Sequence, residues 1–371
     1  DGLCDNWEVE GIDVDHDGVI DLQLYDLDKD GVIEEHERAD LNHKDLYVEI
    51  DWMERHAPLP SALRRVVQSF DNAPVENPDG LPGIRLHLLV DEQAVAHQDR
   101  IAFHRRGATV PDYGDVKADR FGTAAERAAA DAVLQAKRLV FRYALFAHQL
   151  FEGEYGGLGE RPGNDLIVTL GRHAQVGGHP RGNVDQQAAT FMHELGHNLG
   201  LHHGGADAVN CKPNYLSVMS YSRYLDGVPV VGRRLDFSRQ ALPTLDERDL
   251  SEPAGIGGPF GQQTAVYLPF PYDIFGVVDT QGPVNWNLDA DLDDEGVATD
   301  ITGPCDTTGT PELLGSDDWS QLVYSFRNAP DLVEGVSGAA GAAIDELEEL
   351  TFEQALAMSP DTDGDGIPNL L

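Results

Sequence analysis

Four histidines fall within residues 193–203, in the stretch FMHELGHNLGLHHGG: His193, His197, His202 and His203, with one carboxylate, Glu194, directly after the first. On an α-helix, side chains four apart lie one turn above the other on the same face, so His193 and His197 can offer both imidazoles to one ion. Glu194 sits about 100° further round. That is too far to ligate easily but near enough to bond a water on the ion, as a general base does. Gly200, three residues past His197, can take a positive φ, end the helix and turn the chain back. A third imidazole ten residues after the first completes a three-nitrogen set with an open fourth position, the arrangement of a catalytic zinc. His203 has that spacing; His202 does not, and reads as a polar neighbour.

The stretch follows the pattern H-E-x-x-H-x-x-G-x-x-H, and YLSVMSYS at 215–222 adds Met219 one short loop later. The two features together resemble the metzincin zinc peptidases. The resemblance is specific over roughly 185–222. It implies zinc on His193, His197 and His203, and Met219 in a tight turn beneath the metal without ligating it. It also sets Tyr221 where some metzincins place a tyrosine that ligates zinc or hydrogen-bonds the oxyanion. For fold, it implies an α/β (α+β) upper subdomain in which a twisted mixed sheet covers two long helices. An edge strand there runs beside the cleft and pairs with extended substrate, and an irregular lower subdomain forms the other wall.

Acidic loops stand at both ends. DVDHDGVID places Asp13, Asp15 and Asp17 at loop positions one, three and five, with Gly18 at six and Asp21 at nine. DLDKDGVIEEHE repeats this with Asp26, Asp28, Asp30 and Gly31 and adds Glu37 at position twelve, the full EF-hand calcium pattern. The first loop carries Leu24 at twelve. Only Tyr25 separates the loops, which leaves no room for paired helices, so they resemble the stacked calcium cages of thrombospondin type 3 repeats. DTDGDGIPN near the C-terminus, with Asp361, Asp363 and Asp365, looks like another such unit. A weaker candidate alternates Asn285, Asn287, Asp289, Asp291 and Asp293 without a matching glycine. Calcium would remove like-charge repulsion and stabilise the fold. Loops of this kind fill where calcium is millimolar, so a secreted protein is expected.

These elements divide the chain into an acidic calcium-loop segment (1–42), an upper subdomain ending in the zinc helix (43–203), a lower subdomain (204–358) and the start of a C-terminal calcium repeat (359–371). Strands are expected at 44–53, 83–92 and 164–170 from their β-branched and aromatic content. A short helix is expected at 62–70, and a long alanine-rich one over 123–151 with Thr123 as N-cap. The zinc helix is expected to start near Asp185. Beyond Gly204 the chain turns rich in Gly, Pro and Asp; 315–326 and the helix-like 343–358 stand out.

The net charge of −39 argues against nucleic acid, which selects a basic face. No apolar run of about 18 residues occurs, so no membrane insertion is expected. The acidity fits calcium ligation for some carboxylates, and with lysine confined to Lys29, Lys44, Lys117, Lys137 and Lys212, halophilic adaptation also fits. Of three cysteines, Cys211 and Cys305 are expected to pair, because Cys4 lies in the separate acidic segment. The expected function is a secreted, calcium-stabilised zinc endopeptidase acting on protein or peptide substrates. The rival is a calcium-dependent adhesion or scaffold module whose zinc site is latent or vestigial.

Overall fold

The computed structural model describes residues 2–25, 38–90, 95–105, 107–129, 131–224, 235–269, 274–289, 291–327 and 329. They fall into two compact units, one of residues up to Gly200 with the segment from Val323, the other spanning Leu201–Leu322.

The first unit begins with α1 (Asp5–Glu10) and continues through β1 (Asp45–Trp52), α2 (Pro60–Asp71), β2 (Arg85–Val90), α3 (Tyr113–Arg120), α4 (Ala124–Ala128) and α5 (Asp131–Arg138). It goes on through β3 (Phe141–Ala147), β4 (Gly157–Gly159), β5 (Asp165–Thr169), the short pair β6 (Gln175–Val176) and β7 (His179–Pro180), and α6 (Val184–Asn198). Its main sheet has the order β2-β1-β3-β5-β4. β2, β1, β3 and β5 run parallel, and the edge strand β4 is antiparallel to β5, so the sheet is mixed and the class is α/β.

The strands expected at 44–53, 83–92 and 164–170 form as β1, β2 and β5. The long helix expected over 123–151 does not form. Thr123 caps α4 with a capping box to Glu126, but helix ends at Arg138 and FRYALFA becomes β3, the strand between β1 and β5. All seven of its residues are buried. A strand covered on both faces loses the alternation that distinguishes it from a buried helix. The two longest described helices, α2 and α6, pack against each other instead.

The first unit's core gathers Tyr47, Phe103, Tyr113, Tyr143, Leu145 and Ile167, together with Ile12, Leu22 and Leu24 of the acidic segment. Leu24, at the twelfth position of the first acidic loop, is fully buried there. The carboxylates of β1 are also buried, each with a partner. His87 Nε2 lies 2.5 Å from Asp45 Oδ1, the Gly122 N–H donates to Glu49, and the Tyr143 hydroxyl donates to Asp51 at 2.7 Å.

The second unit is sparser in regular structure. It contains β8 (Leu245–Asp246), β9 (Gln263–Leu268), β10 (Ile274–Asp279), one 3-10 turn at Gly303–Cys305 and β11 (Glu312–Leu313). β9 pairs antiparallel with β10 and β8 with β11, around a core that includes Leu242, Leu250, Val266, Trp286 and Ile301. Cys211 and Cys305 are disulfide-bonded across 94 residues, and Cys4 is a free thiol. The segment 315–326 forms turns rather than a regular element; 343–358 lies outside the described residues. No described helix is long and apolar enough to cross a membrane.

Candidate metal centre

The helix that carries the histidines is fixed at both ends by its own sequence. At its start, Asn183 Oδ1 accepts from the N–H groups of Asp185 and Gln186, while Gln186 Oε1 accepts from the Asn183 N–H, a capping box with Gln at the third position. At its end, Gly200 has φ 91° and its N–H bonds the His197 carbonyl at 2.8 Å, a left-handed stop that a side chain would strain. The Asn198 side chain donates to the carbonyls of Glu160 and Asp165, both at 2.9 Å, tying the last turn to the start of β5.

Every residue of α6 from Gln186 to Asn198 is buried, polar ones included. His193 and His197 lie one turn apart, with their Nε2 atoms 3.2 Å from each other. Within the continuous segment 193–203, His193, His197 and His203 bring three ligand atoms within 4.8 Å of one another. His202 stands outside this set; its N–H and carbonyl pair with Gly205 instead. The donors are three buried imidazoles, the ligand type that suits zinc. Glu194, between the two helical histidines, is fully buried.

Residues 115–204 match the family model for metallo-peptidase family M12B, reprolysin-like. The match runs from α3 through all three histidines and Glu194, and it stops short of Met219 and Tyr221. Over this segment the chain is similar to a family of zinc metallopeptidases. A search of curated proteins finds no match.

The edge strand makes room for the helix. A side-chain carbon on Gly157 of β4 would lie 2.5 Å from Glu194 Oε1, and one on Gly159 would lie 2.6 Å from the Glu194 carbonyl and 3.2 Å from His197 Cβ. Both positions therefore require glycine for α6 to lie this close. The expected zinc and base residues did not include them, although the pattern GGLG at 156–159 marks a close backbone approach.

Past Gly200, the loop that holds His203 is pinned from within the second unit. The buried Lys212 ammonium donates to the Gly204 carbonyl at 2.9 Å and to both Asp207 oxygens. Burial pushes that ammonium below the ordinary lysine range, and Asp207 works against the shift. Met219 is fully buried in a turn. The Tyr221 ring packs 4.4 Å from the His203 ring, and its N–H donates to Asn210 Oδ1 at 3.0 Å.

Of the acidic loops, the first is described. Asp13, Asp15 and Asp17 come together. Asp13 accepts from the N–H groups of Asp17 and Gly18, Asp21 accepts from Val14, and Gly18 at position six has φ 88°. Asp26, Asp28, Asp30 and Glu37 lie outside the described residues, as do Asp361, Asp363 and Asp365. In the run at 285–293, Asp289 and Asp291 gather with Asp294 and the buried Glu252. Asp293 is not in that group. Glu252 also accepts from the Trp286 N–H at 2.9 Å, a long-range contact that sequence spacing does not reveal.

Proposed function

We propose that this chain is a secreted zinc-dependent endopeptidase. The observation that carries the reading is the convergence of His193, His197 and His203, with Glu194 on the same helix between two of them. When bound there, zinc supplies Lewis acidity to a water and to a peptide carbonyl. The Glu194 carboxylate takes the proton of the attacking water and delivers it to the leaving amine. Burial of Glu194 keeps bulk water from competing for that proton. Tyr221, against the His203 ring, donates its hydroxyl to the developing oxyanion. Extended substrate adds to the edge of the main sheet at β4, the one antiparallel strand, through main-chain hydrogen bonds.

Calcium in the acidic loops supports the fold in this reading. The gathering of Asp13, Asp15 and Asp17, with glycine in the left-handed region at position six, favours it. The same loops motivate the extracellular assignment.

The test is hydrolysis of quenched fluorescent casein in millimolar calcium, with and without 1,10-phenanthroline, beside Glu194→Ala. Phenanthroline-sensitive activity in the parent, lost in Glu194→Ala while zinc is retained, is the expected result. A fully active Glu194→Ala chain would refute the role of the base. Silence in every sample with zinc present would favour an adhesion or scaffold role.

A further inference from the structure

A second group of three histidines lies elsewhere in the first unit. His56, His97 and His148 bring one ring nitrogen each within 4.8 Å of one another, as His193, His197 and His203 do. Their ring centroids form a nearly equilateral triangle with sides of 5.0, 5.1 and 5.4 Å. His56 is buried, while His97 and His148 are half-buried.

The sheet topology explains how residues so far apart in sequence meet. β2, β1 and β3 are parallel neighbours, so their carboxyl ends lie side by side. His56 follows β1 in the turn where its N–H bonds the Met53 carbonyl. His97 follows Val95, which pairs with Met53. His148 comes directly after β3. The carboxyl edge of a parallel sheet is the place where α/β folds commonly hold ligands. Gly171 leaves the room His148 needs, since a side-chain carbon there would lie 2.4 Å from His148 Nδ1.

Hydrogen bonding alone does not account for the cluster. One proton satisfies the 3.2 Å contact between His148 Nδ1 and His56 Nε2. His97 Nδ1 is buried and has no hydrogen-bond partner among the described residues, although a buried ring nitrogen left without one costs stability. Its other nitrogen lies 3.4 Å from the exposed Asp99 carboxylate. The nearby Arg181 guanidinium donates to the Ala57 carbonyl at 3.0 Å.

We propose that His56, His97 and His148 form a second zinc site, which fastens together the carboxyl ends of β1, β2 and β3. Three imidazoles leave a fourth position for water or for Asp99, and the donor set suits zinc better than the hard ions that favour oxygen. The site is separate from the α6 histidines. It lies by Arg181, which precedes the N-cap of α6, whereas His193 stands ten residues beyond that cap, about 15 Å of helix rise further on.

Zinc per chain, measured by elemental analysis on the tag-free protein in millimolar calcium, tests this. The parent should hold two equivalents, His97→Gln/His148→Gln one, His193→Gln/His197→Gln one, and His193→Gln/His197→Gln/His97→Gln none. A His97→Gln/His148→Gln chain that holds as much zinc as the parent overturns the second site and leaves the α6 reading untouched. Should that variant fail to fold, cobalt titration of His193→Gln/His197→Gln decides. A visible d–d band from a low-coordinate nitrogen site, abolished by zinc, supports the proposal, and absence of the band overturns it.

Discussion

Gly157 and Glu194 are matched across the space between β4 and α6: a side-chain carbon at Gly157 would come within 2.5 Å of the Glu194 carboxylate oxygen and 2.6 Å of the Ile167 carbonyl. The backbone cannot yield easily, because β4 is held in register on β5 through Leu158 and Ile167. The Glu194 carboxylate, a side-chain end, yields first, and the Ile167 peptide must give way with it. Displacing a catalytic group by about 1 Å costs on the order of a hundredfold in rate. With Glu194 as the proposed base, Gly157→Ala should lower kcat/KM on casein by about that factor. Zinc content should stay at the parental level, because His193, His197 and His203 are not touched. Loss of zinc along with activity would show that Gly157 supports the whole helix rather than Glu194.

Lys137 of α5 is fully buried between Glu49 and Glu126, with Nζ–O distances of 2.6 and 2.8 Å. Burial opposes its charge, but the two carboxylates outweigh that effect and hold the ammonium protonated. Removing the cation leaves two buried carboxylates facing each other. Lys137→Met should cost about 3–5 kcal/mol in urea unfolding. Lys137→Met/Glu49→Gln/Glu126→Gln, which removes the charges as well, should recover most of it. Equal losses in the two chains would mean that packing around Phe121 and Phe141, which the ammonium also faces, is the larger contribution.

His173 lies in the turn after β5 and is buried. Burial alone pushes its imidazole down to about 4, so it stays neutral in the folded chain where an exposed histidine would charge. Its folded value lies below its unfolded one, so between the two the unfolded chain binds the extra proton. Stability is lost as pH falls from about 6.5 toward 4, by about 3–3.5 kcal/mol at full effect and about 2–3 kcal/mol by pH 4.5. His173→Asn should flatten that part of the profile by a comparable amount between pH 7 and pH 4.5. An unchanged slope would assign the acid sensitivity to other groups.

What the sequence reveals of these features depends on how local they are. The helix with His193 and His197, its glycine stop and the third histidine lie within one short stretch, so spacing and helical periodicity suffice to read them. Strands β1, β2 and β5 are legible from runs of branched and aromatic residues. β3 is not, because burial on both faces makes FRYALFA equivalent to a helix face. The group of His56, His97 and His148 has no sequence signature, since it exists only once β2, β1 and β3 pair in parallel. Glu252 escapes notice among the acids at 285–294 for the same reason.

His203 shares a cluster with His193 and His197 and stacks on Tyr221, while His202 spends its backbone on a tight pairing with Gly205. His203→Ala leaves two imidazoles, and zinc held by two nitrogens dissociates far more readily than zinc held by three. In equilibrium dialysis against a chelating indicator, His203→Ala should lose at least a hundredfold in affinity for its α6 metal, a factor within the range even supporting residues show. His202→Ala should stay within a few fold of the parent, because its backbone bonds to Gly205 survive truncation of the side chain. Comparable losses from both changes would mean that His202 holds the loop in place through its ring, and the turn after Gly200, rather than the choice of imidazole, would then control the metal.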